Sequence, residues 1–139
     1  MEVGAGASND ASNAVLGYLP LQNSNARKSV AIGTNALYNN ANIENIAVGY
    51  SAGVNINSGR TNTLVGYNTG TQLTSGSYNT YLGGNINLGD VSYNIALADG
   101  AGNIRARFDN DAAKWSMDGG SLRVEGLSLI HISEPTRPY

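Results

Sequence analysis

Few side chains in these 139 residues could do covalent chemistry. Cysteine is absent, which removes thiolate nucleophiles, thiolate metal sites and disulfides together. His131 is the single histidine. Between Ala11 and Ala98 the only carboxylates are Glu44 and Asp90, a pair that could act as acid and base in glycoside hydrolysis if brought within roughly 5 to 9.5 Å of each other. Asp109, Asp111 and Asp118 offer oxygen donors of the kind a hard cation takes, but their spacing fits no EF-hand loop, and a solvated hairpin end is the expectation. The abundant polar types are tyrosine, with 8 residues, and asparagine, with 19. Together they provide aromatic planes that stack on sugars and amides that bond to hydroxyls.

What must position these groups is a repeat. The segments N-A-V-L-G-Y from Asn13, S-V-A-I-G-T from Ser29, N-I-A-V-G-Y from Asn45, N-T-L-V-G-Y from Asn62, N-T-Y-L-G-G from Asn79 and N-I-A-L-A-D from Asn94 align at spacings of 16, 16, 17, 17 and 15. The fourth column (Leu16, Ile32, Val48, Val65, Leu82, Leu97) is always aliphatic, and the second (Ala14, Val30, Ile46, Thr63, Thr80, Ile95) is apolar or β-branched. A period of two puts both columns on one face of a strand, and their hydrophobicity assigns that face to the core. The fifth column, Gly17, Gly33, Gly49, Gly66 and Gly83, requires a turn with positive φ or close approach of neighbouring coils. Further on, S-A-G-V-N-I-N-S-G-R from Ser51 aligns with N-T-G-T-Q-L-T-S-G-S from Asn68, predicting a second short strand through Ile56 and Leu73 and a second turn at Ser58-Gly59 and Ser75-Gly76. Two strands of about five residues and two turns use up such a unit, so a flattened β-roll is expected rather than a three-sided coil. Helical periodicity is missing, hexapeptides never run in tandem, and no G-G-x-G-x-D calcium repeat occurs.

Each coil buries two or three aliphatic side chains worth about 1.5 to 3 kcal/mol each, while ordering a residue of backbone costs about 1 to 2 kcal/mol. Stacking and association of several chains are the expected remedies. In such a stack Glu44 and Asp90 lie almost three coils apart, about 14 Å along the axis, which predicts no catalytic pair and a chain that is not an enzyme. No cofactor is implied. The low charge, 13% of residues with a net of -2, argues against a nucleic-acid partner. The start, M-E-V-G-A-G-A-S-N-D, has neither basic nor apolar signal-peptide segments, and no apolar run nears the roughly 18 residues of a membrane span, so a soluble, non-secretory chain without membrane insertion is expected.

The N-x-A-[IV]-G-Y-x-A-G units and N-x-x-[ST]-G turns resemble the repeats of bacteriophage tail-fibre proteins. They are also similar to head repeats of trimeric autotransporter adhesins, which carry S-V-A-I-G, the sequence of Ser29 to Gly33. The resemblance covers about Asn13 to Gly102, and A-D-G-A-G-N-I-R from Ala98 is similar to stretches that follow the repeats in tail fibres. It implies an all-β, left-handed parallel β-roll in a homotrimeric fibre of the virion tail, attaching to a host cell-surface glycan or protein. The alternatives are the head of a cell-surface adhesin and, more remotely, an ice-binding solenoid, for which Thr61, Thr63, Thr69 and Thr80 are too scattered. For receptor contact the candidates are Tyr18, Tyr50, Tyr67, Asn35 and Asn68, with a structural ladder of stacked Tyr and Asn as the stronger expectation for these same residues.

Residues 127 to 137, L-S-L-I-H-I-S-E-P-T-R, resemble the in-frame translation of a transposase-type sequencing-library adaptor. Residues 127–139 are therefore excluded from fold reasoning as an artefact expected to be disordered, and no site is built on His131. The organisation that results is a lead-in at 1–12, a six-repeat β-roll at 13–102 and a hairpin segment at 103–126. Charge marks the change, with five charged residues from Ala11 to Ala98 and nine from Asp99 to Gly126. The hairpin is expected to run out through Ile104, Ala106 and Phe108, turn at Asn110 to Ala112 and return through Trp115 and Met117, followed by a strand at Ser121 to Glu125.

Overall fold

The computed structural model describes residues 2–3, 12–22 and 25–117. The lead-in other than 2–3, the strand expected at Ser121 to Glu125 and the adaptor-like segment lie outside the described residues. Within them the protein is all-β, a solenoid whose coils each contribute one strand to a single sheet. The strands are β1 (Glu2–Val3), β2 (Ala14–Gly17), β3 (Val30–Ile32), β4 (Ile46–Val48), β5 (Thr63–Val65), β6 (Thr80–Leu82), β7 (Ile95–Ala98), β8 (Ile104–Asp109) and β9 (Lys114–Met117). Strands β2 to β7 pair in parallel, so that Ala14, Val30, Ile46, Thr63, Thr80 and Ile95 stand in one row. The repeat in the sequence is therefore the register of the sheet.

The second strand expected in each unit does not form. Residues 51 to 60 and 68 to 77 run as turns, because Ser51, Gly53, Asn68 and Gly70 have φ between 51° and 68° and short-range bonds such as Val54 N to Ser51 O and Ile56 N to Gly53 O bend the chain. Coils remain in ladder there through single bonds, including Gly53 N to Thr69 O at 2.9 Å and Gly70 N to Ile86 O at 2.7 Å.

The larger correction concerns the core. Leu16, Ile32, Val65, Leu82 and Leu97 are 37 to 41% exposed and Val48 is only half-buried, so the column assigned to the interior faces outward. The interior takes the opposite parity: Val15, Ala31, Ala47, Leu64, Tyr81 and Ala96 are buried, as are Ser29, Asn45, Asn62, Asn79 and Asn94, which begin the later units, while Asn13 at the start of the first is half-buried. The coil is so narrow that opposing positions must share its volume. Small Ala31 shares its coil with Leu37, whereas Gly53 lies against Leu64, whose Cδ1 would sit 2.8 Å from a Cβ added there. Such complementarity is what close-packed interiors require. Ile56, Leu73 and Ile86, buried in the turns, close the core from the other side.

The buried asparagines form a continuous ladder. The side-chain oxygens of Asn13, Ser29, Asn45, Asn62 and Asn79 each accept the backbone N–H that opens the following unit, at 2.9 to 3.2 Å. Asn62 and Asn79 also donate Nδ2–H to the oxygen of the preceding asparagine at 3.0 Å. The last oxygen, on Asn94, accepts from Nε and Nη2 of Arg107 at 3.2 and 3.0 Å. Arg107 thus ends the ladder, and it comes from β8, which turns back antiparallel to β7. The hairpin of β8 and β9 forms where the alternation places it, and it extends the solenoid sheet.

Candidate functional site

Three surfaces follow from this register. The first is the turn after each strand. Gly17, Gly33, Gly49, Gly66 and Gly83 have φ of 125° to 142°, a region closed to other residues, and a Cβ at Gly33 would lie 2.5 Å from the carbonyl oxygen of Gly49. This close passage sets Tyr18, Thr34, Tyr50 and Tyr67 in one row, confirmed by equivalent bonds from Asn35, Ser51, Asn68 and Asn85 N–H to their carbonyls at 2.7 to 3.0 Å. Tyr18, Tyr50 and Tyr67 are all exposed. Tyr50 and Tyr67 stack on each other with centroids 5.5 Å apart and planes 18° from parallel, so each covers one face of the other. Asn35 and Asn68 have φ of 56° and 51°, so both serve the left-handed turn that asparagine tolerates better than most residues.

The second surface is the opposite margin of the sheet, where Lys28, Glu44, Thr61, Tyr78 and Tyr93 each take φ of 51° to 62°. Lys28 Nζ lies 3.8 Å from Glu44, and Tyr78 stacks on Tyr93 at 4.9 Å with Arg60 over the outer ring at 5.7 Å. Tyr78 and Tyr93 each stand immediately before the first column of the repeat, which is the sequence signal that aligns them.

The carboxylates are not brought together. Glu44 is engaged by Lys28 and Thr61 at the margin. Asp90 Oδ1 accepts the amides of Thr74, Ser75 and Gly76 at 2.7 to 2.9 Å, and Oδ2 accepts the hydroxyls of Thr74 and Ser75. One coil earlier, the amides of Asn57, Ser58 and Gly59 converge on the Thr74 carbonyl. The unit that carries Asp90 is the short one of 15 residues, and there a side chain takes over from a carbonyl. Partial desolvation alone would raise the Asp90 pKa, but the Ser75 hydroxyl and the three amides outweigh it and hold the carboxyl well below its ordinary 3.8. A depressed folded-state pKa means stability that is complete above the unfolded pKa and lost as pH falls through the folded one. Melting curves of the wild type should therefore drop below about pH 4, and those of Asp90→Asn should start lower and show a smaller acid dependence. Equal acid slopes for the two would remove Asp90 from this role.

Asp109 accepts the amides of Asp111 and Ala112 and pairs with Arg107 at 2.9 Å, which makes it part of the hairpin turn. Asp118 lies outside the described residues. Among the described residues no group of three His, Cys, Asp or Glu side chains is placed to hold a metal ion, and no helix is long and apolar enough to cross a membrane.

The third surface was missed by sequence reasoning because its residues were assigned to the core. The outward columns make one apolar sheet face from Leu16 through Ile32, Ile46, Val65, Leu82 and Leu97. The hairpin continues it, since Phe108 pairs with Ile95 and Trp115 with Phe108. Phe108 and Trp115 rings lie 5.4 Å apart, and Trp115 is 57% exposed. At about 4.8 Å per strand the face runs some 34 Å from β2 to β9. The chain matches no family model, no curated protein and no solved structure.

Proposed function

We propose that this chain is a structural and receptor-binding segment of a trimeric fibre that attaches to a cell surface, with the phage tail fibre as the leading setting and no catalytic role. The observation that carries the reading is the outward apolar face. A continuous exposed patch of aliphatic and aromatic side chains on a soluble fold marks an interaction surface, and this one recurs in every coil, so its occupant repeats with the same axial period. A second and third copy of the same chain meet that condition directly. The number three comes from the resemblance to tail-fibre and adhesin repeats. In the trimer the sheets face one another around the axis, the Leu16 to Leu97 column becomes the shared core, and the tyrosine-bearing turns lie at the margins where a cell-surface glycan could reach them.

The test is the molar mass of the full chain by light scattering after size exclusion. A mass of three chains is expected, and Leu82→Glu, which sets a charge in the middle of the face without touching the buried column, should reduce it to one chain or prevent folding. Leu82→Met should keep the trimer. A folded wild-type monomer would overturn the reading.

A further inference from the structure

The row of side chains after the glycine turns has a gap in it. Tyr18, Thr34, Tyr50 and Tyr67 occupy successive coils at equivalent backbone positions, and the Tyr50–Tyr67 pair shows that rings in adjacent coils meet face to face at 5.5 Å. Thr34 breaks the series. The backbones at Tyr18 and Tyr50 are therefore two coil spacings apart, about 9.6 Å, with threonine between them. Beside this position Leu19, Asn35, Tyr38 and Val54 line an open hollow of about 370 Å³. Tyr18 is 66% exposed and Tyr50 49%. The side chains of Thr34 and Asn35 make no hydrogen bond among the described residues, and the residues named here include no Asp, Glu, Lys, Arg or His.

The geometry points to a subsite for a neutral oligosaccharide, with one pyranose ring held between Tyr18 and Tyr50 above Thr34 and the adjoining ring over the hollow. A flat aromatic ring in contact with both tyrosines at about 3.5 to 4.0 Å would fill only about 7 to 8 Å of the gap. A chair-form sugar is puckered and carries hydrogens on both faces, so it fills more of that width. The Thr34 hydroxyl and the Asn35 amide supply donors and acceptors for its hydroxyls, and none of the residues that line the subsite carries a charge that would select an acidic glycan. Tyr67 is not part of the subsite, because its ring is spent on the far side of Tyr50. The subsite rests on the receptor-binding reading and deepens it.

The experiment is saturation-transfer NMR on the full chain with maltose, cellobiose, lactose and N,N′-diacetylchitobiose, each at up to about 10 mM. The expected result is transfer to ring protons of at least one disaccharide, with affinity weakened at least about tenfold, or 1.4 kcal/mol, in Thr34→Tyr, which completes the tyrosine row and closes the gap. Tyr18→Ala should weaken it similarly. Tyr93→Ala, on the other margin, should leave it unchanged. Binding that survives both Thr34→Tyr and Tyr18→Ala would overturn the subsite, as would no transfer to any of the disaccharides. The mass of the same sample separates the two ideas: a trimer that fails this test loses the subsite and keeps the fibre.

Discussion

Gly66→Ala is expected to abolish the fold of the full chain, measured as loss of the cooperative thermal transition and of the β-type circular dichroism spectrum. Gly66 has φ of 142°, and a Cβ there would drive into the carbonyl oxygen of Gly83 in the next coil. The clash is with backbone that is itself fixed by the bond from Gly83 N to Val65 O at 2.8 Å, so relief requires separating two coils. The cost should exceed about 4 kcal/mol, at the diagnostic end of single substitutions. Gly89→Ala is the control. Its φ is also positive, at 83°, but nothing lies within 4 Å of the added atom, so it should cost only the roughly 1 to 2 kcal/mol of left-handed backbone. If the two variants melt together, close coil passage is not what the glycine column serves.

Asn62→Ala is expected to destabilise the protein by about 3 to 5 kcal/mol through two orphaned backbone groups. Asn62 Nδ2 donates to Gly76 O at 2.9 Å and Asn62 Oδ1 accepts from Asn79 N at 3.0 Å, all in the interior. Alanine leaves that carbonyl and that amide buried without partners, and it also cuts the side-chain ladder between Asn45 and Asn79. Asn55→Ala removes a single exposed bond, to Thr71 O, and should stay within about 0.5 kcal/mol. Urea denaturation reads both. The midpoint should fall steeply for Asn62→Ala with the slope unchanged, and a shift no larger than that of Asn55→Ala would mean that the ladder adds little beyond the sheet.

The repeat unit, its register, the glycine turns and the β8–β9 hairpin were legible in the sequence because each is a local rule. Spacing fixes which residues stack, a glycine at one column marks a backbone that other residues resist, and alternation through Ile104, Ala106 and Phe108 marks a strand. The candidate contact residues were legible only as a column. That Tyr50 and Tyr67 spend a face on each other while Tyr18 stands alone depends on distances between coils, and Thr34 gave no sign of importance until it was seen to interrupt a row.

Which side of the strand faces inward could not be read locally. A period of two says that columns two and four share a face, and hydrophobicity then favoured them over a third column that is half alanine. Tertiary structure decided the other way, because the coil is too narrow to hold Leu, Ile and Val in every layer and takes Ala31, Ala47 and Ala96 instead. The same narrowness draws the asparagines inside, where their amides satisfy the coil backbone that no second strand pairs. By itself the sequence determined a stack of coils and the order within it. The interior, and with it the apolar face left outward, followed only from how much volume two facing walls of one coil can enclose.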